Sequence, residues 1–445
     1  MASQVSPGVV IRERDLSTGV LTGVSGLRAG FASSFRSGPV GKITNIGSER
    51  ELIDTFGAPA EANAADWLVA GEFLRYGGQL AVVRAATGVL NATLDGSAVL
   101  VGSKSDYDAG AGSSEKFIAR TAGADGNNLY VVVVDKGPDF TIVKTGHGLS
   151  VGGTYTDDAA VGHEVVEVVD ANTVRIIQGT SAPTPAAGDT STAFSNSMWN
   201  ATAIGSTGLT YKEIGPRPGT SAFASERYVS YDEMHVAIVD TSTNTVVERM
   251  TYLSKISDAK STEGSSIYWK DYVNEFSGYV YASALTSAEF TTLGSDPGAA
   301  VASYGATAGA PISIARILKT AGGALSGGTD DYAYTTGEIV AAYTLFQDTE
   351  ETDLDFVLMG GSMGSEADTK TKAGGVAAVA NTRKDCIAFI SPWNGAQVAT
   401  SGGSALTPAL QLSKTIDFFE SIGSSSYVVK DSGIKYTYDR FNDKY

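Results

Sequence analysis

The chain begins with a short alternating pattern that predicts an isolated β-strand. In the stretch SPGVVIRERD, Val9 and Ile11 fall on one face of an extended strand, and Arg12 and Arg14 fall on the other. No second strand-like segment lies close by, so this strand lacks a local partner. Because an unpaired strand exposes main-chain N–H and C=O groups, we expect it to pair with a free sheet edge.

Helical periodicity follows in two segments. Ser48 precedes an apolar stripe that includes Leu52 and Phe56, and Gly57 ends it, which predicts a short capped helix. A second helix is predicted at about 64–76, and the apolar run GGQLAVVRA then predicts a strand. These alternating elements indicate an α/β domain.

The helical pattern disappears between about residues 89 and 208. Apolar runs such as NLYVVVVD, GHEVVEVVD and NTVRIIQG alternate with turn-forming residues, which predicts β-strands joined by tight turns. Residues 209–330 return to mixed helices and strands, and HVAIVD and TVVERMTYL predict a hairpin across TSTN. We therefore predict a mostly β, barrel-like or sandwich-like inserted domain at 89–208. It would interrupt a middle α/β domain made of residues 23–88 and 209–330. The boundary stays open at GADGNNLYVVVVDKG, because this segment could already belong to the surrounding core.

The C-terminal block, residues 331–445, has the strongest pattern. Thr335 and Glu338 can form a capping box at the start of a helix in GEIVAAYTLFQ. DFVLMGG and CIAFISP are typical of buried strands, and the helical segment EADTKTKAGGVAAVANTRK separates them, which predicts a parallel β-α-β unit. A helix at about 408–422 and a hairpin in SYVVKDSGIKYTYD follow. The predicted fold class is thus multi-domain, α/β and α+β, with an N-terminal arm at residues 1–22 and a C-terminal α/β core domain.

Composition excludes several classes of function. The net charge of −17 disfavours nucleic acid as a direct partner, because proteins that bind phosphate backbones are normally basic. A single cysteine, Cys386, excludes an intrachain disulfide framework and fits a reducing compartment. The first residues lack a secretion signal, and no apolar run approaches the ~20 residues of a membrane helix. We expect a soluble protein that is made in a cytoplasm and does not insert into a membrane.

Two motifs for hydrolytic or metal chemistry are incomplete. GLSVG matches the serine-hydrolase pattern around Ser150, but its β-rich surroundings do not supply the strand, sharp turn and helix that this pattern requires. HEVVE begins at His163 like a zinc-binding helix, but it ends in Glu167 instead of a second histidine. HEVVE also alternates like a strand, so we expect no metal site there.

A possible cofactor loop is equally incomplete. Gly361 and Gly364 fit the second and third glycines of a dinucleotide-binding loop, but Met359 occupies the position of the first. Cys386 opens an apolar strand-like run, which predicts a buried, unreactive thiol. We therefore expect no enzyme activity, no catalytic residues and no cofactor.

Several segments, taken in order, resemble a known family. These are SPGVVIRERD, GPVGKITNIGSERELIDTFGAP, GGQLAVVRA, EGSSIYWKDYVNEFSGYVY, LSGGTDD and VAAVANTRKDCIAFISPWNG. Together they resemble the contractile tail sheath proteins of myovirus-type, T4-like bacteriophages, over residues 1–88 and 209–445. The resemblance implies a structural subunit that polymerises as rings around the tail tube and contracts to drive the tube through the host cell envelope. The 89–208 insertion would then face outward.

The resemblance also implies partners and contact residues. The partners would be copies of the chain itself, the tail tube protein, and the baseplate and tail terminator proteins, in a virion tail assembled in the bacterial host cytoplasm. Strand exchange between subunits would use Val9, Val10, Ile11, Arg12 and Glu13. Basic candidates for contact with an acidic tube or with other subunits are Lys370, Lys372, Arg383 and Lys384. The residues alone leave open that the arm pairs within its own chain.

Other functions stay open at the level of the sequence. Tail sheath chains of this type continue past YDRFNDKY, so we expect the C-terminal domain to be truncated at that end. The chain could instead form the sheath of a phage-related bacterial contractile injection system. A hydrolase that uses Ser150 or the Gly361–Gly364 loop, and a β-rich phage adhesin, are the remaining alternatives.

Overall fold

A computed structural model describes residues 26–86, 88–283, 285–318, 321–396, 406–435 and 437–444. The chain divides into two compact units. Unit 1 combines the residues before Gly88 with those after Asp331, and unit 2 spans Gly88–Asp331. Unit 1 is therefore assembled from both ends of the chain.

The described residues form both α-helices and β-strands. The helices are α1 (Glu49–Phe56), α2 (Ala64–Arg75), α3 (Lys104–Asp108), α4 (Asn196–Ala201), α5 (Ala222–Ser225), α6 (Trp269–Phe276), α7 (Thr336–Thr344), α8 (Glu366–Arg383) and α9 (Pro408–Ile422). The strands are β1 (Arg28–Ser33), β2 (Ile43–Ile46), β3 (Gln79–Arg84), β4 (Phe117–Ala119), β5 (Leu129–Asp135), β6 (Phe140–Val143), β7 (Thr154–Thr156), β8 (Gly162–Asp170), β9 (Thr173–Ile177), β10 (Thr190–Ala193), β11 (Val229–Ser230), β12 (Glu233–Asp240), β13 (Thr245–Ser254), β14 (Val280–Ala282), β15 (Ile312–Ser313), β16 (Gly323–Ala324), β17 (Phe356–Leu358), β18 (Ile387–Ile390) and β19 (Val428–Lys430).

Unit 1 is built on a six-stranded sheet in the order β19-β18-β17-β1-β3-β2. All neighbouring pairs are parallel except β2 with β3, which are antiparallel. Helices α1 and α2 contribute Phe56 and Trp67 to the core on one face, where they meet Phe31 of β1. Helices α7, α8 and α9 contribute to a second core that contains Val357 of β17 and Ile390 of β18. Burial on both faces is what parallel strands require.

Local signals explain where the helices of unit 1 begin and end. Ser48 accepts the main-chain N–H of Glu51 and so caps α1, and Gly57 follows with φ +79°. Thr335 and Glu338 form a reciprocal capping box at the start of α7. Helix α9 begins at Pro408 and ends before Gly423, as the sequence predicts. These ends rest on short-range hydrogen bonds, which a sequence pattern can show.

The predicted grouping of residues 23–88 with 209–330 is wrong. Strand β1 lies between β3 and β17, with the pairs Ala29↔Leu80 and Ala29↔Phe356. Residues 26–86 therefore share one sheet with the C-terminal block. Pairing between parallel strands that are distant in the chain leaves no mark on local periodicity, so the sequence could not show it.

Unit 2 contains a four-stranded sheet in the order β13-β12-β5-β16. Strands β12 and β13 form the antiparallel pair that the sequence predicted across TSTN. The central strand β12 is buried on both faces. Val236 packs with Trp269 of α6 on one side, and Val239 packs in the core of Trp199 and Tyr211 on the other.

The β insertion is narrower than predicted. Strand β5 pairs with β12, and β4 pairs with β14, so both belong to the body of unit 2. The remaining strands form one antiparallel sheet in the order β10-β6-β9-β8-β7, which we call the inserted sheet (Phe140–Ala193). Glu164 of this sheet accepts hydrogen bonds from Thr292 N, Thr292 Oγ1 and Leu293 N at 2.8, 2.8 and 3.1 Å, which ties it to the body.

Unit 2 begins and ends at adjacent positions. Gly88 N donates to the Asp331 carboxylate at 3.1 Å. Two residues further on, Leu90 and Thr329 form an antiparallel bridge with N–H to O distances of 3.1 and 3.2 Å. The first and last residues of unit 2 are thus joined like two short strands.

Candidate assembly surface

The six-stranded sheet of unit 1 ends at β19, and no strand among the described residues pairs with the outer edge of β19. On its inner side, β19 pairs in parallel with β18 through Ala388↔Val428 and Ile390↔Lys430. The side chain of Val429 is 41% exposed and that of Lys430 is exposed. An open edge that carries apolar side chains is what a strand from another chain needs in order to add to a sheet.

One face of the sheet is only partly covered beside this edge. Phe356 and Leu358 of β17 pack against the core formed by α1 and α2. Farther along the same face, Ile387 of β18 is 39% exposed, and Val429 lies on that side as well because it pairs with Phe389. We call Ile387, Val429 and the outer edge of β19 the open corner. Parallel strands are normally buried on both faces, so a further element is expected to cover it.

Helix α9 also exposes apolar side chains. Leu412 and Ile416 are 62% and 45% exposed, and they lie four residues apart on one side of the helix. Phe418, in contrast, is fully buried in the core of unit 1. Exposed apolar side chains that share one side of an element are typical of a surface that contacts another chain.

The residues after β19 do not form the predicted hairpin. The predicted turn is present, since Gly433 N donates to Asp431 Oδ1 at 2.9 Å. The chain then runs to α1 and α2 instead of returning along β19. Three ion pairs join these residues to the two helices and the loop between them: Lys435 to Glu72 at 2.5 Å, Arg440 to Glu49 at 2.8 Å, and Lys444 to Glu61 at 2.6 Å. The hairpin prediction is therefore wrong.

Phe441 is expected to contribute most of the affinity of residues 437–444 for the helices. Its ring packs edge-on against Trp67 with centroids 4.9 Å apart, whereas exposed ion pairs such as Lys444–Glu61 contribute little. Phe441→Ala should lower the free energy of opening of α2, as measured by hydrogen exchange, by about 1–2 kcal/mol. Lys444→Ala is the control and should change it by less than about 0.5 kcal/mol. Equal effects of the two changes would contradict this assignment.

Two of the four predicted basic contacts lie inside unit 1. Lys372 Nζ donates to Tyr334 Oη at 3.0 Å and to Gly361 O at 2.9 Å, and it lies 3.7 Å from Asp66 Oδ1. Burial lowers the pKa of Lys372. The side chain of Arg383 is fully buried as well. These positions correct the prediction, because neither side chain is on the surface to contact a tube or another subunit.

The other two basic candidates are accessible. Lys370 is about one-third exposed and pairs with Glu366 at 2.7 Å, one helical turn earlier in α8. Lys384 is exposed just after α8, in a left-handed conformation with φ +63°. Contact of Lys370 and Lys384 with a tube or with a neighbouring subunit stays a prediction.

The chain's own side chains fill the place where sheets of this type bind ligands. Strand order reverses between β1 and β17, and ligands usually bind at the carboxyl ends of two such strands. Here the Asp66 carboxylate accepts from Ser33 Oγ at 2.6 Å, from Tyr334 Oη at 2.9 Å and from Gly361 N. The Gly361 N–H that a phosphate-binding loop would offer is therefore bonded to Asp66. The only signal in the sequence was an acidic residue inside the apolar face of α2.

The other predicted chemical positions lie as follows. Ser150 is in the loop between β6 and β7, where its carbonyl accepts from Gly153 N at 2.9 Å, and a strand follows instead of a helix. His163 and Glu167 both lie in β8, so the strand interpretation of HEVVE is confirmed. Cys386 is buried, as predicted, and burial raises the pKa of its thiol. Within the described ranges, no three His, Cys, Asp or Glu side chains are grouped closely enough to hold a metal ion.

The predicted strand-exchange residues, Val9 to Glu13, lie outside the described residues. Their role therefore stays a prediction. None of the helices in the described part of the chain combines the length and apolar character needed to span a bilayer.

The multi-domain α+β fold and its open sheet edge are typical of a subunit that assembles with other chains. Comparison with known proteins indicates which kind of assembly subunit the chain resembles. No family model matches the chain. Three curated relatives, however, are tail sheath proteins. They come from Salmonella phage ViI (24% identity over 490 residues), Vibrio phage KVP40 (24% over 511) and Enterobacteria phage T4 (22% over 499). These alignments cover 99–100% of this chain and 68–71% of the relatives.

The resemblance to contractile tail sheath proteins of T4-like phages is therefore confirmed along the whole chain. The relatives support a structural role in a phage tail. Two solved sheath tail proteins, from Listeria innocua and Desulfitobacterium hafniense, align with TM-scores of 0.38 and 0.36 at 11% and 12% identity. These alignments cover 90% and 92% of this chain but only 57% and 61% of those structures. TM-scores this low do not support a conclusion about the fold.

Proposed function

We propose that the chain is a structural subunit of a contractile phage tail sheath. It polymerises as rings stacked around the tail tube, and it contracts to drive the tube through the host cell envelope. The observation that carries this proposal is the similarity to three tail sheath proteins, which extends over at least 99% of the chain. The open corner of unit 1 supports it, because a polymer subunit needs surfaces that other copies can cover.

The arm joins neighbouring copies by adding a strand to β19. Residues Val9–Glu13 supply the strand, and the outer edge of β19 supplies free main-chain groups beside the exposed Val429. A ladder hydrogen bond contributes about 1 kcal/mol net, so the three residues of β19 give about 3 kcal/mol. One such link is weak. Links repeated around and between rings hold the polymer together by avidity.

Contraction moves whole subunits against one another. The core of unit 1 contains fully buried side chains on both faces of its sheet, so it moves as a body and does not deform. New burial of apolar surface between copies, at about 25 cal/mol per Å², provides the driving force. Lys370 and Lys384 contact the acidic tube, and the ends of the sheath contact the baseplate and the tail terminator. The assembly forms in the host cytoplasm and becomes part of the virion tail.

Electron microscopy of concentrated protein tests the proposal. The chain should form hollow tubes in negative stain, and removal of residues 1–20 should abolish them because the linking strand is lost. Val10→Pro should have nearly the same effect, since proline removes a ladder N–H and is poorly tolerated inside a strand. Val10→Thr is the matched control and should leave the tubes intact, because threonine keeps a high strand propensity.

A cross-link tests the acceptor edge separately. In tubes of the Ile11→Cys, Val429→Cys protein, disulfides should join different chains, and reduction should restore monomers on a denaturing gel. The natural Cys386 is buried and does not compete. Tubes from the protein lacking residues 1–20 would refute the role of the arm. Tubes that show no cross-link would refute β19 as its acceptor.

A further inference from the structure

All three histidines of the chain share one hydrogen-bonding pattern. They lie in unit 2, two of them next to or within the inserted sheet and one in β12. Each ring accepts a main-chain N–H at Nδ1: His147 from Leu149 at 2.9 Å, His163 from Gly179 at 3.0 Å, and His235 from Tyr252 at 3.0 Å. A nitrogen that accepts a hydrogen bond carries no proton, so Nδ1 is unprotonated in every case.

The second ring nitrogen faces an oxygen in each histidine. His147 Nε2 lies 2.8 Å from Asp170 O, His163 Nε2 lies 3.4 Å from Asp157 Oδ2, and His235 Nε2 lies 2.7 Å from Pro216 O. A carbonyl or carboxylate oxygen accepts, so Nε2 must donate. The surrounding groups therefore select the neutral ring with its proton on Nε2. A protonated ring would present two donors, and the donor at Nδ1 would face another N–H.

The three main-chain N–H groups lie where the strand ladders are interrupted. Tyr252 lies in a bulge of β13, where the register shifts between the pairs of Met234 and Val236, and its φ is +56°. His235 supplies the acceptor that the partner strand does not supply there. Gly179 lies two residues after the end of β9, and Leu149 lies in the loop before β7. Each histidine thus accepts a hydrogen bond from a main-chain N–H that regular strand pairing does not satisfy.

We propose that the three histidines are acid-sensitive hydrogen-bond acceptors that stabilise unit 2. Their protonation breaks three hydrogen bonds from main-chain N–H groups and destabilises unit 2, while unit 1 stays intact. Unit 1 contains no histidine, because the only three of the chain lie at positions 147, 163 and 235. A protonated ring cannot accept a hydrogen bond at Nδ1. Acid should therefore remove these three hydrogen bonds and lower the stability of unit 2.

The charged groups around His163 act in both directions. Asp157 attracts a protonated ring, but its carboxylate also accepts from Thr184 N and Val161 N, both at 2.8 Å. The Thr184 N–H lowers the pKa of Asp157, so this carboxylate stays ionised in mild acid. Two features oppose protonation: the ring is completely buried, and protonation would remove Nδ1 as the acceptor of the Gly179 N–H. Tyr155 faces the ring with centroids 6.1 Å apart and carries no charge at these pH values.

The surroundings of the other two rings stabilise a protonated ring less than Asp157 stabilises a protonated His163. Glu233 lies two residues before His235 in β12, and burial raises its pKa, so it loses charge in the same direction as the pH falls. The guanidinium of Arg217, the residue after Pro216, donates to Phe194 O at 3.1 Å, and β5 presents the apolar Val134 opposite His235. At His147 the group that faces Nε2 is the uncharged main-chain carbonyl of Asp170, and the Asp170 carboxylate accepts from Asn172 N at 2.7 Å.

Nuclear magnetic resonance of protein labelled with ¹⁵N at histidine tests directly which ring nitrogen of each histidine carries the proton. At about pH 7.5, all three rings should show the neutral form protonated at Nε2, because each Nδ1 accepts a hydrogen bond. A ring protonated at Nδ1, or charged at this pH, would overturn the proposal for that site. The measurement uses the unsubstituted chain, so it does not depend on the folding of a variant.

Hydrogen exchange tests the consequence. After correction for intrinsic rates, protection of the Leu149, Gly179 and Tyr252 amides should fall at least about tenfold between about pH 7.5 and pH 5. Amides of β1 and β17 in unit 1 provide the internal control and should change little. In His235→Phe, Tyr252 should be poorly protected at both pH values, while Gly179 keeps its response. Unchanged protection at all three amides, or an equal fall in unit 1, would overturn the proposal.

Discussion

Replacing Arg383 with alanine is expected to lower the free energy of unfolding of unit 1 by about 3–5 kcal/mol. The guanidinium is fully buried and uses all of its donor nitrogens. It donates to Phe346 O at 2.9 Å, Asp348 O at 3.0 Å and Thr352 O at 2.9 Å, and it holds both oxygens of Asp385 at 2.9 and 3.0 Å. Alanine leaves the buried carbonyl oxygens of Phe346 and Thr352 without this donor.

The neighbouring residue gives a matched control of opposite sign. Lys384 is exposed and has φ +63°, a conformation that glycine adopts more readily than lysine. Lys384→Gly should therefore raise stability slightly, by up to about 1 kcal/mol. Hydrogen exchange of β17 and α8 during urea titration reports on unit 1 alone, which matters because a chain with two units need not unfold in one step. If Arg383→Ala cost less than about 1 kcal/mol, these hydrogen bonds would not be stabilising as described.

The second large effect is expected at Lys255 in unit 2. Lys255 Nζ lies 2.5 Å from Asp135 Oδ2 and 3.0 Å from Ala315 O, and both charged side chains are completely buried. The same carboxylate oxygen accepts from Ile317 N at 2.8 Å. Burial lowers the pKa of Lys255, although the nearby Asp135 opposes this shift. Lys255→Ala leaves an uncompensated buried carboxylate and should destabilise unit 2 by about 3–5 kcal/mol.

A double variant separates the unpaired charge from the lost packing. In Lys255→Met, Asp135→Asn the charge is removed from both sides, and the asparagine oxygen still accepts from Ile317 N. This protein should recover at least half of the stability that Lys255→Ala loses, as hydrogen exchange of β5 and β12 would show. Lys104→Ala breaks an exposed pair with Asp108 and should cost less than about 0.5 kcal/mol. A double variant as unstable as Lys255→Ala would refute this explanation.

Sequence reasoning succeeded where the determining interactions are local. The capping box of Thr335 and Glu338, the ends of α9 and the β12–β13 pair all depend on residues a few positions apart. It failed where pairing is distant. Nothing in the sequence of β1 indicates β17 as a neighbour more than 320 residues later, as the pair Arg28 N to Asp355 Oδ2 shows with a separation of 327. The same limit left open whether NLYVVVVD, which forms β5, belongs to the insertion or to the surrounding core, and the structure pairs it with β12.

Helix α8 shows why two of the basic candidates were misplaced. Its inward side is built largely from alanine and valine, and small residues also occur on its other sides, so the apolar stripe is poorly defined. Lys370 and Lys372 are two positions apart and point to opposite sides of the helix. The sequence does not show which of them faces inward. In the structure Lys372 faces inward, where it lies close to Asp66 and donates to Tyr334.

The adjacent ends of unit 2 have a consequence for how such proteins diversify. Gly88 and Asp331 are hydrogen-bonded to each other, so the 244 positions from 88 to 331 can be excised and replaced by a tight connection without stretching the flanking backbone. Unit 2 is in this sense an interchangeable cassette. Unrelated modules could be spliced in at the same joint, and the six-stranded platform formed by the two ends of the polypeptide would be preserved.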